Sequence, residues 1–198
     1  MRKIIFIALL AINVSSISAQ AVWGLRAGLS RPTISTKVTV DGYTANNTLD
    51  GGFGLEVGPV LYYTIKENWY LNTGAFLSLK TFDIGGDSNT KYYIDVPLYL
   101  GCKIPSGSIS LYGQAGPFVG YMLSENYESA SKPLNTGVAA MFGINVQRFK
   151  IEVGYQVGLL NIWNSDYDYI IKEGFGITEN YKISTRLSSL FLGVSYVF

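Results

Sequence analysis

From residue 22 to the carboxyl terminus, apolar side chains recur at every second position over segments longer than soluble strands usually run. Between Lys150 and Leu159 the apolar set is Ile151, Val153, Tyr155, Val157 and Leu159, against Lys150, Glu152, Gly154, Gln156 and Gly158. The last segment sets Leu190, Leu192, Val194, Tyr196 and Phe198 against Ser189, Phe191, Gly193, Ser195 and Val197. Ile94, Val96, Leu98, Leu100, Cys102 and Ile104 oppose Asp95, Pro97, Tyr99, Gly101 and Lys103, and Val138 to Gln147 follows the same rule. Successive side chains of a strand leave opposite faces, so a period of two is a strand signature.

Eight such segments fall near 22–31, 52–65, 69–80, 92–104, 109–122, 135–147, 150–160 and 186–198. Soluble strands average five or six residues, whereas a tilted strand needs about 9–11 to cross a bilayer. Lys66-Glu67-Asn68, Pro105-Ser106-Gly107-Ser108 and Arg148-Phe149 are expected to be tight turns, alternating with long loops at 32–51, 81–91, 123–134 and 161–185. Short and long connections alternate in this way when short periplasmic turns face long outer loops. Closing the strands into a ring pairs every backbone N–H and C=O, as lipid requires. The expected fold is all-β: an eight-stranded antiparallel up-and-down transmembrane β-barrel over residues 22–198. A soluble lipocalin-like barrel is the main rival, but it would turn its apolar residues inward.

Residues 1–21 have a basic start (Arg2, Lys3), an apolar run from Ile4 to Val14 broken by Asn13, and a small, polar end. This is the form of a secretory signal peptide, with cleavage expected near 19–21. The run is too short for a membrane helix, which needs about 20 apolar residues. Without Arg2 and Lys3 the cations fall from 15 to 13 against 14 acids, leaving no basic surplus for nucleic acid. The lone Cys102 excludes an internal disulfide and reads as a small apolar strand residue.

Three stretches resemble the PorT-like outer-membrane barrels typical of the Bacteroidetes. Tyr93-Ile94-Asp95-Val96-Pro97-Leu98-Tyr99-Leu100 is similar to that family's acidic-apolar-Pro-Leu strand. Gly158-Leu159-Leu160-Asn161-Ile162 resembles its Gly-Leu-x-Asn-Ile end of strand seven, and Leu192 to Phe198 its closing strand. The resemblance implies a barrel of the outer membrane, with Tyr196 and Phe198 as the signal read by the barrel-assembly machinery. It also implies a role as an accessory of protein secretion, and it supplies no catalytic residues.

The inward register carries Arg26, Glu56, Asp95, Lys103, Lys150 and Glu152, three charges of each sign. Eight strands enclose a space that side chains fill, and charges there must pair because an isolated buried ion is costly. A structural network is expected, with Glu152 paired to Arg26 or Lys150 and Glu56 or Asp95 as anchors higher in the lumen. Catalysis is disfavoured, since the chain has no His to act as a base near neutral pH. No G-x-S-x-G, H-E-x-x-H or C-x-x-C motif occurs, and no cofactor or resident metal is expected.

In the last loop Trp163, Tyr167, Tyr169 and Phe175 stand among Asp166, Asp168 and Glu173. They are candidates for contact with a surface ligand or envelope protein, against a plain extension of strands seven and eight above the membrane; two aspartates are too few for calcium. Three classes of function follow: a structural or surface-interaction barrel bathed in outer-membrane lipid, a secretion accessory, and a small-solute channel using lumen glycines such as Gly28, Gly154 and Gly193.

Overall fold

The computed structural model describes residues 21–40, 43–84, 87–123, 132–162 and 181–198. Of residues 1–21, expected to form a signal peptide, 1–20 lie outside them and Ala21 begins the first strand. Ten strand segments form one antiparallel sheet: β1 (Ala21–Val40), β2 (Tyr43–Asp50), β3 (Gly54–Lys66), β4 (Trp69–Gly74), β5 (Phe76–Ile84), β6 (Asp87–Ser106), β7 (Ile109–Met122), β8 (Leu134–Val146), β9 (Phe149–Gly158) and β10 (Tyr181–Val197). The sheet closes because β1 pairs with β10 on one side and with β3 on the other. The ten segments make eight passes, since β2 continues into β3 and β4 into β5.

Each break has a local cause. Between β4 and β5 the ladder lapses where Ala75 lies against Pro59, donating its N–H to the Pro59 carbonyl at 3.2 Å. On the other side Pro97 falls between the Thr73–Leu98 and Phe76–Asp95 pairs. Neither proline has an N–H to give. Between β2 and β3, Gly51 bonds to the Pro32 carbonyl of β1 while Gly52 bonds to Thr81 of β5, so the chain bends across to a new neighbour.

The loops expected at 32–51 and 81–91 are corrected. Each is largely a hairpin arm, since β1 runs to Val40 with β2 beside it, and β5 and β6 continue to Ile84 and from Asp87. Thr, Val and Tyr at alternate positions keep these segments in strand where charge and polarity alone suggest loop. The last strand likewise begins at Tyr181. Two turns are tighter than expected, Glu67-Asn68 and Gly107-Ser108, and the third, expected at Arg148-Phe149, lies one residue earlier at Gln147-Arg148; each has two residues. Gly107 and Gln147 lead the latter two with φ of 60° and 54°, the left-handed backbone that two-residue hairpins need.

The alternation resolves into an inverted protein. Leu55, Leu98, Leu100, Val153, Leu192 and Val194 keep about half their surface exposed on the outer wall. Arg26, Glu56, Asp95, Gln114 and Glu152 are buried within. A soluble barrel would reverse these faces, so the wall is built to meet hydrocarbon. No helix among the described residues is long and apolar enough to cross a membrane; the crossing is made by strands. At the turn end Trp23, Trp69, Phe149 and Phe198 ring the wall, as interfacial aromatics do. Substituting Arg for Val153, at mid-belt, is expected to cost about 2–4 kcal/mol of folding stability in a bilayer. Denaturant titration in lipid vesicles checks this, and an unchanged stability would contradict the assignment of that face.

Candidate functional site

Arg26 enters the lumen from β1, opposite Gly58 of β3 and Ser195 of β10. Its side chain is 1 % exposed. Nη2 lies 3.2 Å from Glu56 Oε1, and Nε lies 3.1 Å from Glu152 Oε1. Nη2 also meets Met141 Sδ at 3.6 Å. The guanidinium is held between two rings, Phe191 at 4.1 Å and Phe76 at 4.9 Å from its carbon to the ring centroid. Room for the Phe191 ring comes from Gly28 and Gly193, where a Cβ would collide with it. One cation thus serves two carboxylates from different strands, with an aromatic ring on either side.

Glu152 extends the network toward the turn end. Its Oε2 accepts from Tyr112 Oη and from Gln114 Nε2, each at 2.9 Å. Gln114 Oε1 accepts in turn from Asn72 Nδ2 at 2.9 Å. Beyond it Tyr62, Tyr70 and Tyr112 stack edge to face, with centroids 5.9 and 6.4 Å apart. Lys150 Nζ sits over all three rings, at 3.9, 4.6 and 4.5 Å. Its charge is met by π-faces, which attract a cation electrostatically. A small cavity of about 130 Å³ opens here, lined in part by Thr64, Lys103, Asn145 and Lys150.

Toward the loop end a second pair forms. Lys80 Nζ lies 3.1 Å from Asp95 Oδ2, which also accepts from Ser78 Oγ at 2.7 Å. Lys80 stands 4.8 Å from the Tyr93 centroid. Above it Phe82, Tyr93, Met122, Ile162 and Leu187 pack into a buried apolar cluster, with Ile34 against it.

Of the six charges read from the sequence, Arg26, Glu56 and Glu152 meet at one point, while Asp95 belongs to the separate pair with Lys80. Lys150 is in the tyrosine cage, and Lys103 is half-buried at the rim of the small cavity. The sequence reading omitted Lys80 and the aromatic partners. Lys80 was legible by parity: Tyr70, Asn72, Phe76, Ser78, Lys80 and Phe82 are all buried on one register. The tyrosines gave no signal, because Tyr is equally at home in the lumen and at the membrane interface.

At the carboxyl terminus Tyr196 stacks edge to face with Phe149 (5.1 Å) and Phe198 (5.6 Å), and the Phe198 N–H bonds to the Trp23 carbonyl at 2.9 Å. Trp163, Tyr167, Tyr169 and Phe175 lie outside the described residues. Among the described residues no group of three or more His, Cys, Asp or Glu side chains is placed to hold a metal.

A closed antiparallel sheet with an apolar outer wall and a charged interior is the architecture of an outer-membrane β-barrel. The chain belongs to the family of the outer membrane protein beta-barrel domain, whose model matches residues 18–164. Its place is the outer membrane. No curated protein matches it. Among solved structures, Neisserial surface protein A is 13% identical, with 87% of this chain and 97% of that one covered and a TM-score of 0.44. Ail of Yersinia pestis, crystallised with a heparin analogue, is 20% identical over 88% and 99%, with a TM-score of 0.38. The outer membrane protein AlkL, solved in lipid bilayers, is 13% identical over 90% of each chain, with a TM-score of 0.46.

Removing one member of a buried pair strands the other, which typically costs about 3–5 kcal/mol. Glu152→Ala is therefore expected to lose about that much stability. A double-mutant cycle should find strong coupling between positions 152 and 26, and little between 152 and 103. Unfolding in detergent or vesicles measures it; additive losses for 152 and 26 would contradict the geometry.

Proposed function

We propose that this protein is a closed, non-enzymatic outer-membrane barrel that serves as a structural or surface-interaction component and conducts no solute. The observation that carries the reading is the filled lumen. The apolar cluster around Phe82 and Leu187 covers the loop end. The Arg26 pairs occupy the middle, and the Lys150 cage stands at the turn end. A solute would have to part buried ion pairs to pass, and each such separation leaves uncompensated charge. With the lumen spent on packing, what remains for function is the end of the barrel that projects beyond the belt. Planar-bilayer recordings of the refolded protein should show no steady conductance. Stepwise currents from the unmodified chain would overturn the reading in favour of a small-solute channel.

The resemblance to PorT-like barrels supports a second role, as an accessory of protein secretion. Cross-linking in native membranes separates the two, since an accessory yields a defined envelope partner and a self-sufficient barrel does not. For biogenesis, Tyr196 and Phe198 are the proposed assembly signal. Phe198 is 71% exposed on the wall at the turn end, where another protein can reach it. Deleting Phe198 should lower insertion in cells several-fold while leaving refolding in detergent nearly unchanged. Equal losses in both assays would reduce its role to stability.

A further inference from the structure

We propose that the outer face of the arm formed by β2, β1 and β10 binds the phosphate groups of the anionic glycolipid in the outer leaflet. The wall changes chemistry abruptly on these neighbouring strands. Going up β1, the outward residues are Leu25, Ala27 and Leu29, then Arg31, Thr33, Ser35 and Lys37. Going up the wall on β10 they are Val194, Leu192 and Leu190, then Ser188, Arg186, Ser184 and Lys182. On the third pass they are Val57, Leu55 and Phe53, then by register Asp50, Thr48 and Asn46. The pairing aligns the steps: Leu29 faces both Leu192 and Leu55, and Leu190 faces Arg31. The polar face therefore begins where the lipid belt ends.

Above that line the rows read Thr48–Ser35–Arg186, then Asn46–Lys37–Ser184, then Thr44–Thr39–Lys182. Arg186, Lys37 and Lys182 stand on successive rows of one face, where diagonal neighbours lie about 7–8 Å apart. Hydroxyls and amides fill the positions between. A groove of about 400 Å³ runs here, lined in part by Ser35, Lys37, Asn46, Thr48, Ser184 and Arg186. The opposite face of β10 and β1 is turned to the interior, with Ile183 and Leu187 buried and Ile34 packed against the apolar cluster, while on β2 Tyr43, Ala45, Asn47 and Leu49 stay exposed. The ion pairs Arg26–Glu56, Arg26–Glu152 and Lys80–Asp95 lie in the lumen and involve neither Lys37, Arg186 nor Lys182. Among the described residues of these rows the acidic one is Asp50, which pairs with Thr33 one row nearer the belt.

Cationic rows with neutral donors fit phosphate, which takes charge-assisted hydrogen bonds from Arg and point-charge attraction from Lys. Height selects the source. Arg186 is four residues beyond Leu190, about 13 Å along a strand, and the strand is tilted. That reaches the depth of headgroup and sugar phosphates while the same strand's Leu190 and Leu192 lie against acyl chains. The inference adds a ligand class to the outward surface proposed above and rests on the loop end facing out of the cell.

The test is native mass spectrometry of the refolded chain in detergent micelles, with bis-phosphorylated lipid A and its dephosphorylated form as probes. The phosphorylated form should be retained at least tenfold better, and added salt should weaken it. Lys37→Glu combined with Arg186→Glu should abolish the preference, and Lys37→Arg combined with Arg186→Lys should keep most of it. Heat-dependent gel mobility confirms that each variant still folds. Equal retention of both lipids, or a preference unaffected by charge reversal, overturns the proposal. So does displacement of the lipid by a soluble heparin oligosaccharide at equal concentration, which would make the ligand a soluble polyanion. Conductance of the unmodified protein tests the closed lumen separately.

Discussion

The interior of this barrel depends on one arginine shared between two carboxylates. A closed eight-stranded sheet in lipid satisfies its own backbone, but it leaves a narrow space that neither lipid nor bulk water fills. Arg26 holds together three sides of that space, joining β1 to Glu56 of β3 and Glu152 of β9. The flanking rings of Phe76 and Phe191 exclude water from the pairs, which strengthens the attraction and makes loss of either partner costly. Packing and charge are therefore one device. The same lumen that is expensive to open is the reason the outer rim is left to carry function.

Much of the architecture was legible because a membrane barrel states its two faces in alternate residues. The outward set read from Ile94 to Ile104 and from Ile151 to Leu159 is the set exposed on the wall at Ile94, Val96, Leu98, Leu100, Ile151, Val153 and Tyr155. The eight passes and the alternation of short and long connections follow from the same pattern. What misled the reading was the height of the barrel. Thr33 to Val40 and Tyr43 to Asp50 lack the apolar face that marks a strand in lipid, so they resemble a loop. Above the belt the outer face has left the hydrocarbon for polar surroundings, and a strand there needs only inner residues such as Ile34 to be apolar.

The interior was less legible for a different reason. Parity says which residues face inward, but not which of them meet across a cylinder. Glu56 and Asp95 share a register and a charge, yet one belongs with Arg26 and the other with Lys80. That choice is made by tilt and stagger, which carry no mark in a single strand. Lys150 shows a second limit: its partners are three tyrosine faces rather than a carboxylate. A search that pairs charge with charge overlooks it.

If the shared arginine organises the lumen, stability should depend on charge balance there more than on the number of charged groups. The most direct measurement compares Arg26→Met with a triple variant that adds Glu56→Gln and Glu152→Gln, following unfolding in lipid vesicles. The account predicts that the triple variant is the more stable of the two, because neutral amides no longer strand two carboxylates around an apolar side chain. A triple variant less stable than Arg26→Met, with each further substitution adding its own loss, would contradict it.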